Sequence, residues 1–565
     1  MKRFTKPLIG VAAALLLAAV AWVQTPAADA PSEARYLPPG ALLTLEARDF
    51  AGMLGDWNAS PEKQAWLGSD NYQVFSRSKL FFRLNEARGE FAAAAGVPLE
   101  AAWLESVAGG ESALGVYDIG ELRFVYVTRM PEARAVENAL WQKRADFEPR
   151  EAAGQAFYVR ADGDSGRQAA FAVVGERLAL ATDADLLAKT VALLAGNGDA
   201  VTGEGWYGEA TAPAGTRGEL RLVHNLQALV RTPHFRSYWV QENTSALRAY
   251  KSGVADLYRS DAAMREQRVL LKVPGDQPRA AAENALGPLL ARVPVEVDLY
   301  RAWGGSSPEQ AVELLRTKLL DPGPSGAYGP YSYAPAAPQG AASVGDEAAL
   351  ETRIDQAPPS RAAETFDPAP LAALFDGAGV KNLLQLQSQR PGPDGALPTN
   401  DACVVIELAK PAALEPFALA VSQSAAGLWT TSGMGASWEQ DGAIFKLDGL
   451  NPLYAWAGGT QLALANSPEL LRAALGQRAT PESAPTAVFA GGFRHGRARA
   501  LYRTTMQRIE ALQFGGYDRP NREPYLFSEN MASLSDTLER FTDVTVERRD
   551  LGERVDETVV YARRP

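Results

Sequence analysis

Two histidines, each followed by an arginine, are the side chains whose types and spacing best suit the binding of an anion. His224 lies seven residues before Arg231. His495 lies eight residues before Arg503. Imidazole and guanidinium groups both donate N–H hydrogen bonds, and the guanidinium fork matches an oxyanion. The spacing therefore predicts two similar anion-binding pockets. The alternative is that each histidine is a local hydrogen-bonding group at a strand-to-helix corner.

A second cluster combines basic and aromatic side chains and begins shortly after the first arginine. It consists of His234, Phe235, Arg236, Tyr238 and Trp239. Arginine and aromatic side chains carry much of the binding energy at protein interfaces. We expect this cluster to form an interface with a protein partner of the cell envelope. The alternative is that it packs as an ordinary helix face.

The sequence lacks the common motifs of cofactor and metal enzymes. It has no Walker phosphate-binding motif, no His-Glu-x-x-His motif and no Gly-x-Ser-x-Gly elbow. Residues 203–208 fit a dinucleotide-binding glycine pattern by letter, but we predict a loop there, without the helix N-terminus that binds a pyrophosphate. Cys403 is the only cysteine, in an apolar run typical of a buried strand. We predict no cofactor, no metal site and no catalytic residue; whether the chain is an enzyme stays open, with a non-enzymatic role favoured.

The charge balance restricts the partners. Lys and Arg number 56 against 67 Asp and Glu, for a net charge of −11. Nucleic-acid binding requires clustered positive charge that neutralises phosphates. We therefore exclude nucleic acid as the main partner. Hydrophobic residues make up 46 % of the chain, which is ordinary for a protein with a buried core.

The N-terminus has the pattern of an export signal. Lys2, Arg3 and Lys6 precede an uncharged apolar stretch at residues 7–23. We predict a signal peptide or signal anchor over residues 1–30, and both alternatives stay open. The stretch approaches the length of a transmembrane helix. The rest of the chain is then exported to the periplasm or extracytoplasmic face, anchored to the membrane by this helix or released after cleavage.

The remaining sequence has the pattern of an internal duplication. Five segments recur in the same order, roughly 270–288 residues apart. The clearest match aligns LALATDADLL at residues 178–187 with LALANSPELL at residues 462–471. We predict a first copy over residues 31–275 and a second over 363–565. Residues 276–362 connect them and include a Pro- and Gly-rich linker at 321–362.

The elements predicted for each copy give an α+β fold of mainly antiparallel sheet with helices on one face. Apolar segments at residues 112–118 and 122–128 read as a hairpin. Thr182 or Asp183 in the first copy, and Ser467 in the second, are predicted to cap a helix. Helical periodicity is also expected at residues 226–230 and 245–258, followed by a strand at 268–272.

The first copy resembles a broad group of exported bacterial proteins of unknown function. The likeness runs from the Tyr-Leu-Pro-Pro-Gly opening at residues 36–40, through paired hairpins, to the strand-to-helix element that ends at Leu187. It covers about a third of the chain. The resemblance implies an exported α+β protein and transfers no functional residues.

These patterns together favour an uncharacterised cell-envelope protein, a non-enzymatic binding or scaffold module tethered at the membrane. The alternative is a hydrolase, or a small-molecule or lipid-binding protein, with its site between the two copies. The first hypothesis requires a stable partner. The second requires convergent chemical groups in a cleft.

Overall fold

A computed structural model describes residues 31–77, 79–232, 247–275, 286–320, 366–392, 398–425, 437–448, 452–476, 487–514 and 535–564. The chain divides into two units. Unit 1 comprises Met1–Ala280 and Arg494–Pro565, and unit 2 comprises Ala281–Phe493. No helix within the described ranges is long and apolar enough to cross a membrane. The predicted signal or anchor at residues 1–30 lies outside those ranges.

The strands of unit 1 come from both ends of the chain. They are β1 (Leu43–Ala47), β2 (Ser112–Asp118), β3 (Arg123–Arg129), β4 (Glu148–Ala152), β5 (Gln155–Ala161), β6 (Gln168–Val174), β7 (Arg177–Ala181), β8 (Leu220–His224), β9 (Tyr250–Arg259), β10 (Ala263–Lys272), β19 (Phe541–Asp550) and β20 (Arg554–Arg563). The strands of unit 2 are β11 (Leu299–Gly304), β12 (Val380–Arg390), β13 (Thr399–Leu408), β14 (Trp438–Asp441), β15 (Ile444–Leu447), β16 (Leu453–Gly458), β17 (Gln461–Ala465) and β18 (Phe489–Phe493).

The helices lie between these strands. Unit 1 contains α1 (Phe50–Ala59), α2 (Pro61–Leu67), α3 (Asp70–Phe75), α4 (Lys79–Ala95), α5 (Ala101–Val107), α6 (Glu132–Glu137), α7 (Ala139–Gln142), α8 (Ala184–Leu194), α9 (Gly205–Thr211), α10 (Leu226–Leu229) and α16 (His495–Phe514). Unit 2 contains α11 (Gly287–Leu290), α12 (Pro308–Leu315), α13 (Ala369–Ala378), α14 (Leu414–Ser424) and α15 (Pro468–Gly476). Short 3₁₀ turns cover Glu33–Tyr36, Arg144–Asp146 and Val201–Gly203, and a π-helical turn covers Arg316–Leu320.

Strand pairing is antiparallel throughout both units. In unit 1 the order is β4-β5-β6-β7-β3-β2-β1-β8-β9-β10-β20-β19. In unit 2 it is β14-β15-β16-β17-β13-β12-β11-β18. The eight strands of unit 2 therefore follow the same connectivity as the first eight strands along the unit 1 sheet. The predicted mixed, mainly antiparallel fold is confirmed at this level.

Helices cover both faces of the sheet, which corrects the prediction of helices on one face. In unit 2, Val404 and Ile406 of β13 pack with α13 and α14, whereas Cys403 and Val405 pack with α15. Alternate residues of a strand point to opposite faces. The unbroken apolar run around Cys403 thus reflects a strand buried on both sides. Unit 1 has the same arrangement, with α8 in one cluster and α4 in another.

Local sequence fixes where the helix after the LALA strand begins in each unit. The Asp183 side chain accepts a hydrogen bond from the Leu186 backbone N–H at 2.9 Å and caps α8. Ser467 Oγ accepts one from the Leu470 N–H at 3.3 Å and caps α15. A side-chain acceptor here satisfies an N–H that has no partner within the helix. Both predicted caps are confirmed, with Asp183 rather than Thr182 in unit 1.

The helix predicted over residues 245–258 is wrong, because Tyr250–Arg259 is strand β9. It lies between β8 and β10 and pairs with both. Pairing with two neighbours satisfies the backbone groups of this segment and overrides its local helical periodicity. The strand expected at residues 268–272 extends back to Ala263 as β10.

Candidate functional site

His495 is held inside the fold by both ring nitrogens. Nδ1 lies 2.9 Å from the carbonyl oxygen of Phe541 at the start of β19. Nε2 lies 2.9 Å from the hydroxyl of buried Ser535. The ring is itself buried at the first residue of α16. These contacts join the helix to the strand that follows it in the chain and agree with a local hydrogen-bonding role.

His224 occupies a different kind of position, as the last residue of β8. It lies opposite Leu43 on one side and Gly253 on the other. Its Nδ1 is buried and has no hydrogen-bond partner among the described residues. Burial, and then the neighbouring Arg268 guanidinium, lower the pKa of His224 to about 4. The ring is therefore neutral at physiological pH.

Strand register shows that the two histidines are not at matching positions. His224 pairs with Leu43, the first residue of β1. In unit 2 the residue paired with the first residue of β11, Leu299, is Phe493. His495 lies two residues further along the chain, inside a helix. By sequence spacing the two histidines occupy nearly equivalent positions. By strand register, the residue that corresponds to His224 is Phe493, two residues before His495.

The two arginines of the predicted pockets also differ in their surroundings. Arg231 is exposed after α10. Arg503 is exposed on α16, and its Nε donates to Asp536 at 3.0 Å. Asp536 also accepts from Arg499 at 3.0 Å. Arg503 is thus already bound to a carboxylate, which competes with any external anion.

The predicted interface cluster of His234, Phe235, Arg236, Tyr238 and Trp239 lies outside the described residues, which stop at 232 and resume at 247. Its role therefore stays a prediction.

A buried polar network in unit 1 was missed by the sequence analysis. Glu46 of β1 is 1 % exposed. Its carboxylate accepts hydrogen bonds from Tyr207 of α9 at 2.7 Å and from Ser32 at 2.6 Å. Burial and then the Glu46 charge raise the pKa of Tyr207 above its ordinary value. The only sequence signal was a lone charged residue, the glutamate, in the strand LTLEA.

Two arginines continue this network across the same sheet. Arg217 donates to Glu111 at 2.7 Å. Arg221 of β8 forms two hydrogen bonds of 2.8 Å each with Asp256 of β9. Hydrogen bonds from charged donors such as these are stronger than those between neutral groups. The network holds β1, β8, β9 and α9 together.

A second ionic cluster lies where β10 meets β20. Arg268 of β10 donates to Glu557 of β20 at 2.8 Å and to its own neighbour Glu266 at 2.6 Å. Arg548 of β19 donates to the same Glu557 at 2.6 Å. Lys272, at the end of β10, contacts Asp550 at 2.6 Å. We call the β10–β20 pairing, with these charges, the seam.

A metal or a small ligand would need convergent side chains or a cavity in the part of the chain that the structure describes. No group of three His, Cys, Asp or Glu side chains is placed there to hold a metal ion. One open cavity of about 480 Å³ lies beside β4, lined by Gln142, Arg144, Ala145, Phe147, Pro149 and Tyr158. Its lining has one cation and no carboxylate.

Comparison with known proteins gives partial likenesses of this chain to solved structures. No known protein family and no curated protein matches it. Among solved structures, crystal form IV of TP0453 covers 42 % of this chain and 79 % of its own, at 7 % identity and a TM-score of 0.23. Crystal form III covers 47 % and 87 %, at 9 % identity and a TM-score of 0.24. These partial likenesses carry no argument about fold or function.

Proposed function

We propose that this chain is a binding or scaffold protein of the cell envelope, built from two copies of one α+β module and tethered or delivered by its N-terminal segment. The observation that carries the proposal is the use of its ionisable side chains. The buried carboxylates of Glu46, Glu111, Asp256 and Glu557 are each bound by a side chain from a neighbouring element. Carboxylates that are bound by neighbouring elements stabilise the sheet rather than catalyse a reaction on a substrate.

The duplication is supported by strand order and by register. The repeated LALA segment is β7 in one unit and β17 in the other. Ala179 of β7 faces Val127 of β3, and Ala463 of β17 faces Val405 of β13. The LALA match and the strand order therefore both support the duplication. A rigid, repeated sheet framework suits a protein that presents surfaces to a partner.

Crosslinking in intact cells tests the binding role. Affinity-tagged full-length protein is crosslinked and recovered from membranes, and the attached proteins are identified by mass spectrometry. We expect one recurrent envelope protein that is lost in Arg236→Ala/Trp239→Ala. The control variant, Arg150→Ala/Phe82→Ala, removes an exposed cation and an exposed aromatic side chain in unit 1 and should retain the partner. Recovery of no specific partner by a well-expressed, folded protein contradicts the proposal.

The alternative, a hydrolase or a binder of small molecules or lipids, has one observation in its favour. Nδ1 of His224 is buried without a partner among the described residues, and such a group invites a ligand. A screen of small anions and lipids for a rise in Tm tests it. A rise present in the native protein and absent in His224→Gln would favour this alternative.

A further inference from the structure

The last hairpin of each proposed copy has the same internal geometry. In β9–β10 the strands are joined by residues 260–262, and in β19–β20 by residues 551–553. Gln267 faces Asp256 in the first hairpin, and Thr558 faces Glu547 in the second. Counting from each turn, Gln267 and Thr558 are therefore the same position in their hairpins.

These two equivalent residues also face each other. In the seam, Gln267 of β10 is paired with Thr558 of β20. When equivalent positions of two antiparallel strands meet, a local two-fold axis passes between them. This is the arrangement of an isologous contact, in which one surface pairs with a copy of itself.

The hydrogen-bonding pattern defines what lies on that axis. The Arg563 N–H donates to the Ala262 carbonyl at 2.8 Å, and the Lys272 N–H donates to the Glu553 carbonyl at 2.9 Å. The backbone N–H and C=O groups of successive residues point to alternate sides of a strand. Arg268 and Glu557 therefore form a pair joined by backbone hydrogen bonds, whereas Gln267 and Thr558 form a pair without them. Residues of a non-hydrogen-bonded pair have Cα atoms roughly 4.5 Å apart, with side chains in close contact.

The two hairpins carry different charged residues at the positions next to this axis. Arg268 faces Glu557, which is the counterpart of Glu266. On the other side of the axis Glu266 faces Val559, which is the counterpart of Arg268. A β10–β10 pairing in this register would place two arginines opposite two glutamates. A β20–β20 pairing would place none, and cross-strand opposite charges favour pairing.

We propose that β10 is a self-complementary pairing strand whose second partner, besides β20, is β10 of another copy of this chain. When β20 is displaced, two chains couple through their β10 strands, with Gln267 facing Gln267 of the partner and two Arg268–Glu266 contacts. The proposal rests on the duplication proposed above. It identifies a homotypic coupling surface on a protein whose envelope partner binds elsewhere.

The test uses the full chain with its seam weakened by one substitution. Val559→Asp places a carboxylate opposite Glu266 and removes a side chain that is 4 % exposed, so β20 should leave β10. We expect the mass in solution to double from 60.5 kDa. Added to this variant, Gln267→Cys should give a disulfide between chains.

Matched controls separate axial pairing from random contact. Arg265→Cys in the same variant lies two residues off the axis, so its two copies would be roughly 13 Å apart at 3.3 Å per residue and should stay reduced. Gln267→Cys in the otherwise native chain faces Thr558 and should stay reduced and monomeric. A folded Val559→Asp chain that remains monomeric, or that crosslinks equally through position 265, overturns the proposal.

A second route applies if Val559→Asp does not fold. Glu557→Arg gathers three cations at the seam, because Arg268 and Arg548 both contact that position, and it carries the same expectation. Refolding of the full-length Gln267→Cys chain at high concentration is an independent test. Absence of a disulfide between Cys side chains at position 267 of two chains would count against the proposal. If the β10 pairing fails this test, the crosslinking result for the envelope partner is unchanged. The two proposals can therefore be rejected independently.

Discussion

Arg221 on β8 and Asp256 on β9 lie directly opposite each other, and the guanidinium binds both carboxylate oxygens at 2.8 Å. Asp256 also accepts the Gly218 backbone N–H at 2.8 Å. Both side chains are buried. This pair sits at the centre of the network that fixes β8 against its neighbours, so its disruption should be measurable in the stability of unit 1.

Replacing Asp256 by Ala should destabilise unit 1 by about 3–5 kcal/mol, because Arg221 would remain buried without its counter-charge. Urea denaturation followed by circular dichroism measures the change. The double variant Arg221→Met/Asp256→Leu should lose less, since neither charge is then left alone. Arg150→Ala, which removes an exposed partner of Glu148, should leave the free energy of unfolding nearly unchanged. Equal losses in all three variants would contradict the assignment.

Tyr207→Phe should cost more stability than Tyr117→Phe. Tyr207 donates to the Glu46 carboxylate at 2.7 Å, whereas Tyr117 donates to the neutral Pro38 carbonyl at the same distance. Hydrogen bonds to charged groups contribute about 1.5–3 kcal/mol and neutral ones about 1 kcal/mol. Denaturation midpoints of the two variants, measured side by side, decide the order. The reverse order would mean that Glu46 does not depend on Tyr207.

His224 should make the protein less stable as the pH falls. Its folded pKa of about 4 lies below the ordinary value of 6.5. Below pH 6.5 the unfolded chain binds a proton that the folded chain does not, so this contribution is complete above pH 6.5 and is lost on descent towards pH 4. The loss amounts to about 3 kcal/mol at 1.36 kcal/mol per pKa unit.

The measurement compares the native chain with His224→Gln from pH 7 to pH 4. Carboxylates titrate in both proteins, so only the difference between their unfolding free energies reports on the imidazole. That difference should change by about 3 kcal/mol in favour of the variant at low pH. Parallel curves over the whole range would show that His224 is not held neutral by the fold.

Gly253→Ala should destabilise unit 1, whereas Gly55→Ala should stabilise it. An added Cβ at position 253 would lie 2.7 Å from a Leu270 methyl, 2.9 Å from His224 Nε2 and 3.0 Å from the Val269 carbonyl oxygen. At position 55, inside α1, nothing lies within 4 Å, and alanine in a helix gains about 1 kcal/mol over glycine. Thermal denaturation of the two variants should move Tm in opposite directions.

Sequence reasoning worked best where local chemistry decides the outcome. Strand Ser112–Asp118 and helix Ala184–Leu194 match their predicted bounds, because an apolar run and an Asp183 cap are local signals. The two LALA segments are strands β7 and β17, which hold the same place in the strand order of their units. A secondary structure that is predicted from neighbouring residues is found in the fold when the tertiary contacts favour the same structure.

The errors concern features that only long-range pairing determines. Residues 250–259 form a strand because β8 and β10 lie on either side, and neither neighbour is visible in the local pattern. Residues 205–211, expected to be a loop, form helix α9, which packs Tyr207 onto the sheet. Tyr207, which donates a hydrogen bond to Glu46, likewise lies 161 positions away from it in sequence.

The seam also dictates an order of events when the chain is synthesised from its N-terminus. Arg268 and Glu557 are separated by 289 positions, and Arg563 contacts Glu62 across 501. All other strands of unit 1 precede β19 and β20 in the chain. One edge of β10 therefore remains unpaired until β19 and β20 have been synthesised. Contacts of such sequence separation form slowly, and an open edge is prone to aggregation. Unit 1 therefore has a vulnerable interval during its biogenesis that ends only with its last two strands.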